Sequence, residues 1–175
     1  MKRKSLLWIS AFLLLILAGC SSSDNDENDD HSLFSNMLQI SNDGNANTGN
    51  YAVTNGKFYI NRMPPLDNEP GLIFHCDIES SELKNLIIRF RGVKTDMDGF
   101  QVGESFQLNQ FNASLVPVED DAATQYEATQ GSVKLTNKKG QRLTTKLTFQ
   151  IYHLTFENGY IISGTVDFEY EGTVF

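Results

Sequence analysis

The sequence predicts an all-β domain, either a single antiparallel β-sandwich or a partly open, strongly curved meander barrel. Three observations lead to this fold class. Apolar and polar residues alternate with period two over 71–79, 86–91 and 160–174, which is the pattern of half-buried strands. No stretch of about ten residues carries the apolar stripe of an amphipathic helix. The two C-terminal segments, 143–157 and 160–174, are also far longer than the usual strand of about five or six residues.

The first two alternating segments are expected to pair as an antiparallel hairpin. One face of 71–79 is apolar and includes Cys76, and one face of 86–91 is apolar and includes Ile88. The polar residues 79–85 separate these segments, and this spacing predicts that Cys76 lies opposite Ile88. Cys76 is thereby expected in the core, where a free cysteine behaves as a small hydrophobic side chain.

The C-terminal hairpin requires a β-bulge. In 143–157 the apolar residues fall on odd positions up to Ile151 and on even positions from Leu154, and an unbroken strand would expose one of these sets. One extra residue near Tyr152–His153 removes the conflict. A three-residue turn with Gly159 in the left-handed conformation completes the hairpin. The predicted opposing pairs are Phe156–Tyr160, Leu154–Ile162, Ile151–Gly164, Phe149–Val166 and Leu147–Phe168.

The chain before Tyr51 is polar and is predicted to lie outside the packed domain. The segment 32–40 fits either a first strand or a short turn of helix. Ten consecutive turn-forming residues at 41–50 predict a loop. The predicted divisions of the chain are a signal segment at 1–19, a polar tether at 20–50 and an all-β domain at 51–175.

Residues 1–20 have the layout of a secretory signal peptide. Three basic residues precede an uncharged, mostly apolar run that is shorter than a transmembrane helix, which needs about 20 residues. The run closes with Leu17-Ala18-Gly19-Cys20, which resembles the lipobox of bacterial lipoproteins. The resemblance implies cleavage between Gly19 and Cys20 and attachment of a diacylglycerol group to the Cys20 thiol. Two or more acyl chains would then anchor the protein firmly to a membrane.

The residues after Cys20 indicate where the anchored protein is displayed. Residues 21–30 hold five carboxylates, no basic residue and no apolar one, so this segment is expected to stay solvated. Its composition resembles the acidic export signal that follows the lipidated cysteine in surface lipoproteins of the Bacteroidota. The resemblance implies an outer-membrane, cell-surface location; an acidic linker facing the periplasm is the alternative. The spacing of 131–137 and 162–170 is also similar to that in small all-β lipoproteins of the same group.

The charge of the chain limits its partners. The formal net charge is −8, and removal of residues 1–19 takes away three basic residues and no acidic ones, which makes the mature chain −11. Phosphate backbones and anionic head groups repel such a protein. Nucleic acid is therefore not an expected partner, and membrane attachment is expected through the lipid at Cys20. A glycan or a protein at the cell surface stays open as a further partner.

The sequence carries no recognised catalytic or metal-binding motif, so no enzyme activity, cofactor or metal is expected. His75 and Asp77 project from the same strand face and form a candidate acid–base pair, although an exposed polar face explains them more simply. Asp167 and Glu169 are likewise expected on the solvent side of the last strand. The proline-rich loop at 61–71 is a candidate binding segment, because loops on rigid sheets often carry binding, although a plain connector explains it more simply.

The leading functional hypothesis is a lipid-anchored surface protein with a non-catalytic domain of accessory or ligand-binding character. One alternative is an assembly subunit similar to a fimbrial adhesin component, which would exchange its long C-terminal strand with a neighbour. A second alternative is a β-domain with an internal cavity for a small apolar ligand.

Overall fold

The computed structural model describes residues 35–42, 45–62, 71–91, 97–118 and 124–174. The chain divides into two units, Met1–Ser32 and Leu33–Phe175, and all described residues belong to the second unit. The predicted lipidation site at Cys20, the preceding Gly19 and most of the loop at 61–71 lie outside the described residues. Among the described residues, no helix has the length and apolar character needed to cross a membrane.

The described part of the chain forms nine β-strands and two short 3-10 helices, Met97–Gly99 and Arg142–Thr144. The all-β prediction is therefore confirmed. The strands are β1 (Met37–Asn42), β2 (Asn45–Asn61), β3 (Gly71–Ile78), β4 (Leu83–Arg91), β5 (Ser105–Gln107), β6 (Phe111–Pro117), β7 (Tyr126–Lys139), β8 (Lys146–Phe156) and β9 (Tyr160–Val174).

Eight of these strands close into a barrel. Their order is β7-β6-β4-β3-β2-β1-β9-β8, and β8 pairs again with β7. β5 lies outside this ring and pairs with β7. Neighbouring strands are antiparallel, except that β2 continues past the short β1 and pairs in parallel with β9, from Lys57–Glu169 to Asn61–Val174. Of the predicted architectures the structure forms the meander barrel, and its ring is closed rather than partly open.

Aromatic side chains fill the centre of the barrel. Phe74 lies in the middle of this cluster, and its ring centroid is 5.1 Å from that of Phe58, 5.1 Å from that of Phe149 and 5.2 Å from that of Phe168. The contact with Phe58 is stacked and those with Phe149 and Phe168 are edge-to-face, and both arrangements add to the free energy of burying the rings. The phenylalanines buried in the core are Phe58, Phe74, Phe90, Phe100, Phe106, Phe111, Phe149, Phe156 and Phe168.

The hairpin of β3 and β4 is tighter than the sequence predicted. Cys76 lies opposite Leu86 rather than Ile88, so the predicted register is wrong by two residues. Because the shift is an even number, the same side chains still face the core. The difference arises because Leu83 is buried and already belongs to β4, which shortens the turn that the polar sequence implied.

The C-terminal hairpin has the predicted bulge. The register shifts between Ile151 and Leu154, which leaves Tyr152 and His153 as the bulged residues of β8. Gly159 has a φ of +85° and donates its amide to the carbonyl oxygen of the last β8 residue at 2.9 Å, as the three-residue turn requires. The pairs that the structure reproduces are Leu154–Ile162, Ile151–Gly164, Phe149–Val166 and Leu147–Phe168.

The sheet begins earlier in the chain than Tyr51. Of the two alternatives for 32–40 the structure contains a strand, β1, in which Leu38 and Ile40 are buried. β2 begins at Asn45, so the prediction of a loop over 41–50 is wrong. The turn-forming residues of β2 lie in a strand because they pair with β1, and such pairing overrides weak local propensity. β1 and the start of β2 therefore lie within the segment predicted as tether.

Gly164 allows β9 to approach β1 closely. Its φ is +149°, and a Cβ atom at this position would lie 2.2 Å from the carbonyl oxygen of Met37. Gly164→Ala should therefore lower the free energy of unfolding by roughly 1–3 kcal/mol, measured by urea denaturation. Gly172→Ala, also in β9, is the matched control because nothing lies within 4 Å of its added methyl group. Equal stability of the two variants would contradict this account of the β1–β9 seam.

Candidate binding groove

A groove of about 510 Å³ crosses the outer wall of the barrel where β2, β1, β9 and β8 lie side by side. Pockets that hold small ligands have volumes of about 300–1,000 Å³, so the groove is large enough for one. It is lined by residues 150–153 of β8, residues 163–165 of β9, Met37 and Gln39 of β1, and Asn50 of β2.

The β8 bulge supplies the most exposed part of this lining. In a regular strand neighbouring side chains point to opposite faces, but an extra residue breaks that alternation. Ile151 and Leu154 point into the core, whereas both Tyr152 and His153 are exposed. The bulge therefore places an aromatic ring and an imidazole next to each other on the outer wall.

The bulge is held in place by both neighbouring strands. On the β9 side, the His153 amide donates a hydrogen bond to Ser163 Oγ at 3.1 Å. On the β7 side, Gly131 has a φ of +118°, and a Cβ atom there would lie 2.6 Å from the carbonyl oxygen of His153. His153 itself has a φ of +47°, a conformation that non-glycine residues adopt at a cost in free energy. These contacts hold the groove wall in one conformation before any ligand binds.

The polar groups of the groove are uncharged amides and hydroxyls, with one imidazole. The Tyr152 hydroxyl donates to Gln150 Oε1 at 2.6 Å, which joins the end of the tyrosine side chain to the glutamine amide. Gln39 lies opposite Asn50 on one side and Ser163 on the other, so an amide, an amide and a hydroxyl form a row across three strands. None of the described residues that line the groove is Asp, Glu, Lys or Arg. The groove is thus a neutral surface on a strongly acidic protein.

The candidate acid–base pair lies elsewhere, on the outer face of β3. Asp77 accepts hydrogen bonds from Asn55 Nδ2 at 2.6 Å and from Asn85 Nδ2 at 2.5 Å. His75 Nε2 is 3.9 Å from Asp77 Oδ1. Direct proton transfer needs a hydrogen bond of at most about 3.2 Å between the two heavy atoms. The two amides belong to β2 and β4. Asp77 therefore links three strands, and this geometry gives it a structural role.

Asp167 and Glu169 lie on the outer face of β9 and bind neighbouring side chains of β8. Asp167 Oδ1 accepts a hydrogen bond from Thr148 Oγ1 at 2.6 Å, and Glu169 forms an ion pair with Lys146. The ion pair raises the pKa of Lys146 through the hydrogen bond and the charge of Glu169. Both carboxylates therefore act in cross-strand pairing.

Cys76 is buried and chemically protected. Burial raises the pKa of its thiol from 9.0 to about 12, and Sγ donates a hydrogen bond to the Leu86 carbonyl oxygen at 3.8 Å. The thiol is therefore protonated near neutral pH, and the protonated form is a poor nucleophile. Among the described residues, no group of three or more His, Cys, Asp and Glu side chains is arranged to hold a metal ion.

No protein-family model, curated protein or solved structure matches this chain.

The sequence predicted the bulge that forms one wall of the groove, but it did not predict the groove. The bulge at Tyr152–His153 was visible as a change of phase in β8. The opposite wall, with Gln39 and Asn50, lies in the segment predicted as polar tether. The apolar pair Leu38 and Ile40 was the available signal for a strand there, but it was too short to separate a strand from a helical turn.

Proposed function

We propose that this protein is an outer-membrane lipoprotein whose barrel is a non-catalytic binding domain displayed at the cell surface. Lipid at Cys20 attaches it to the membrane, and the acidic residues 21–30 carry the barrel away from the bilayer. The resemblance of Leu17–Cys20 to a lipobox and the acidic composition that follows support the location.

The observation that carries the binding role is the neutral groove on a rigid wall. Its backbone is held by hydrogen bonds and close packing on both sides of β8, and its lining offers hydrogen-bonding groups to a ligand. A preformed site of this kind binds without a large cost of ordering. Its lining carries none of the paired acidic groups or activated nucleophiles that hydrolytic catalysis uses, which supports binding rather than turnover.

The anchor is tested by counting thiols in the purified lipoprotein. A thioether at Cys20 cannot be alkylated, and Cys76 is buried, so iodoacetamide at pH 8 should label no site in the native protein. In guanidinium chloride it should label one site, Cys76. Two labelled sites in the denatured protein would show that the Cys20 sulfur is unmodified and would contradict the proposal.

Fractionation supplies the second test of the anchor. Cys20→Ser should remove the protein from the outer-membrane fraction, because no lipid can be attached. Cys76→Ala is the matched control, since it changes the other cysteine and should leave the protein in that fraction. Protease added to intact cells should degrade the wild-type barrel; its survival would contradict surface display.

A further inference from the structure

We propose that the groove binds a neutral oligosaccharide, with Tyr152 as the stacking platform and the amides of Gln39 and Asn50 as its hydrogen-bonding row. This inference rests on the proposed binding function and names the class of ligand for the same site.

The hydrogen-bonding character of the lining matches sugar hydroxyls. Each sugar hydroxyl both donates and accepts a hydrogen bond. A carboxylate only accepts and an ammonium group only donates, whereas amides and hydroxyls offer both functions. Gln39, Asn50, Gln150, Ser163 and Thr165 line the groove, and all five offer both functions. A charged ligand finds no Asp, Glu, Lys or Arg side chain among the described lining residues.

The apolar parts of the lining match the carbon face of a sugar ring. Tyr152 is 37% exposed although its hydroxyl is bound to Gln150, so its ring offers an accessible surface. Met37, which is partly exposed, adds apolar surface nearby. Aromatic side chains with one apolar face and one polar end suit ligands that are apolar on one side and wet on the other.

The length of the groove favours several sugar units over a single one. Three strand spacings separate Asn50 on β2 from Tyr152 on β8, and each spacing is about 4.8 Å, which gives about 14 Å. The amide row and the aromatic platform therefore contact different units of a short oligosaccharide. A monosaccharide would contact only one of the two.

An extended peptide fits this groove less well. Peptides bind sheets mainly by adding a strand to a free edge, and β1, β9 and β8 each have a neighbouring strand on both sides. The main chain of a peptide would find no free edge on these three strands. The available contacts come from side chains on the face of the sheet, which suits a sugar.

The test uses the full-length lipoprotein, extracted in a detergent without a sugar head group so that the detergent does not occupy the groove. Its binding is measured on an array of neutral oligosaccharides (gluco-, manno-, xylo- and galacto-configured), anionic oligosaccharides and unmodified peptides, and then by calorimetry. Neutral oligosaccharides should bind, and chains of several units should bind more tightly than the corresponding monosaccharides. Binding confined to anionic sugars or to peptides, or no binding at all, would overturn the inference.

Two variants connect binding to the groove. Tyr152→Ala and Gln39→Ala should each weaken binding of the selected oligosaccharide by about tenfold or more, as removal of a central contact does. Tyr59→Ala and Gln130→Ala are the matched controls, because both residues lie in strands of the barrel but not in the groove; they should bind as the wild type does. Equal affinity of all four variants would place binding elsewhere and overturn the inference. If the protein binds no sugar but carries a thioether at Cys20, the inference about the ligand is wrong and the proposal of a lipid anchor is not affected.

Discussion

Phe74→Ala should lower the free energy of unfolding of the barrel by about 3–5 kcal/mol. The side chain is fully buried, and its ring contacts other phenylalanine rings from several strands around the wall, including Phe58 of β2, Phe90 of β4 and Phe149 of β8. Truncation therefore removes the buried area of the ring and also leaves a cavity that no single neighbour can fill. The loss is measured by urea denaturation monitored by circular dichroism.

Leu143→Ala is the control for this variant. Leu143 is 75% exposed in a 3-10 helix outside the barrel wall, so its truncation should change the free energy of unfolding by less than about 0.5 kcal/mol. A loss of less than about 1 kcal/mol for Phe74→Ala would mean that the centre of the barrel is not the close-packed aromatic cluster described above.

Deletion of residues 160–175 should abolish the fold. β9 pairs with β8, β1 and β2, and its buried side chains Ile162, Val166 and Phe168 contribute to the core. Without it the ring opens, and both β1 and β8 lose a paired edge. The free energy lost with this pairing and burial exceeds the stability of about 5–15 kcal/mol that a domain of this kind has. No cooperative unfolding transition should therefore remain in urea or on heating.

The same deletion separates the proposed binding protein from an assembly subunit that exchanges its last strand. A donor strand is dispensable for the fold of its own subunit, so an exchange subunit would leave folded monomers after the deletion, and a peptide of residues 160–175 would join them in trans. Folded monomers that bind this peptide would therefore contradict the prediction that the deletion abolishes the fold, and they would favour an assembly subunit as the function. The length of β9, 15 residues, is explained in the barrel by its pairing with three other strands.

The sequence by itself determined the features that depend on neighbouring residues. Period-two alternation identified the core faces of β3, β4 and β9, because the side chains of a strand alternate between two environments. The change of phase in β8, together with Gly159, determined the bulge and the turn of the C-terminal hairpin. In this hairpin the turn and two long apolar patterns leave a single register that buries both sets.

Only the tertiary structure decided which strands are neighbours and where the ring closes. Alternation reports which face of a strand is buried but not the strand beside it, so neither the insertion of β1 between β2 and β9 nor the parallel pairing beyond it was predictable. The two-residue error at Cys76 has the same origin, since Leu83 joins β4 through burial against residues distant in sequence. The groove depends on both kinds of information. Local sequence produces the Tyr152–His153 bulge, whereas long-range pairing sets Gln39 and Asn50 beside it.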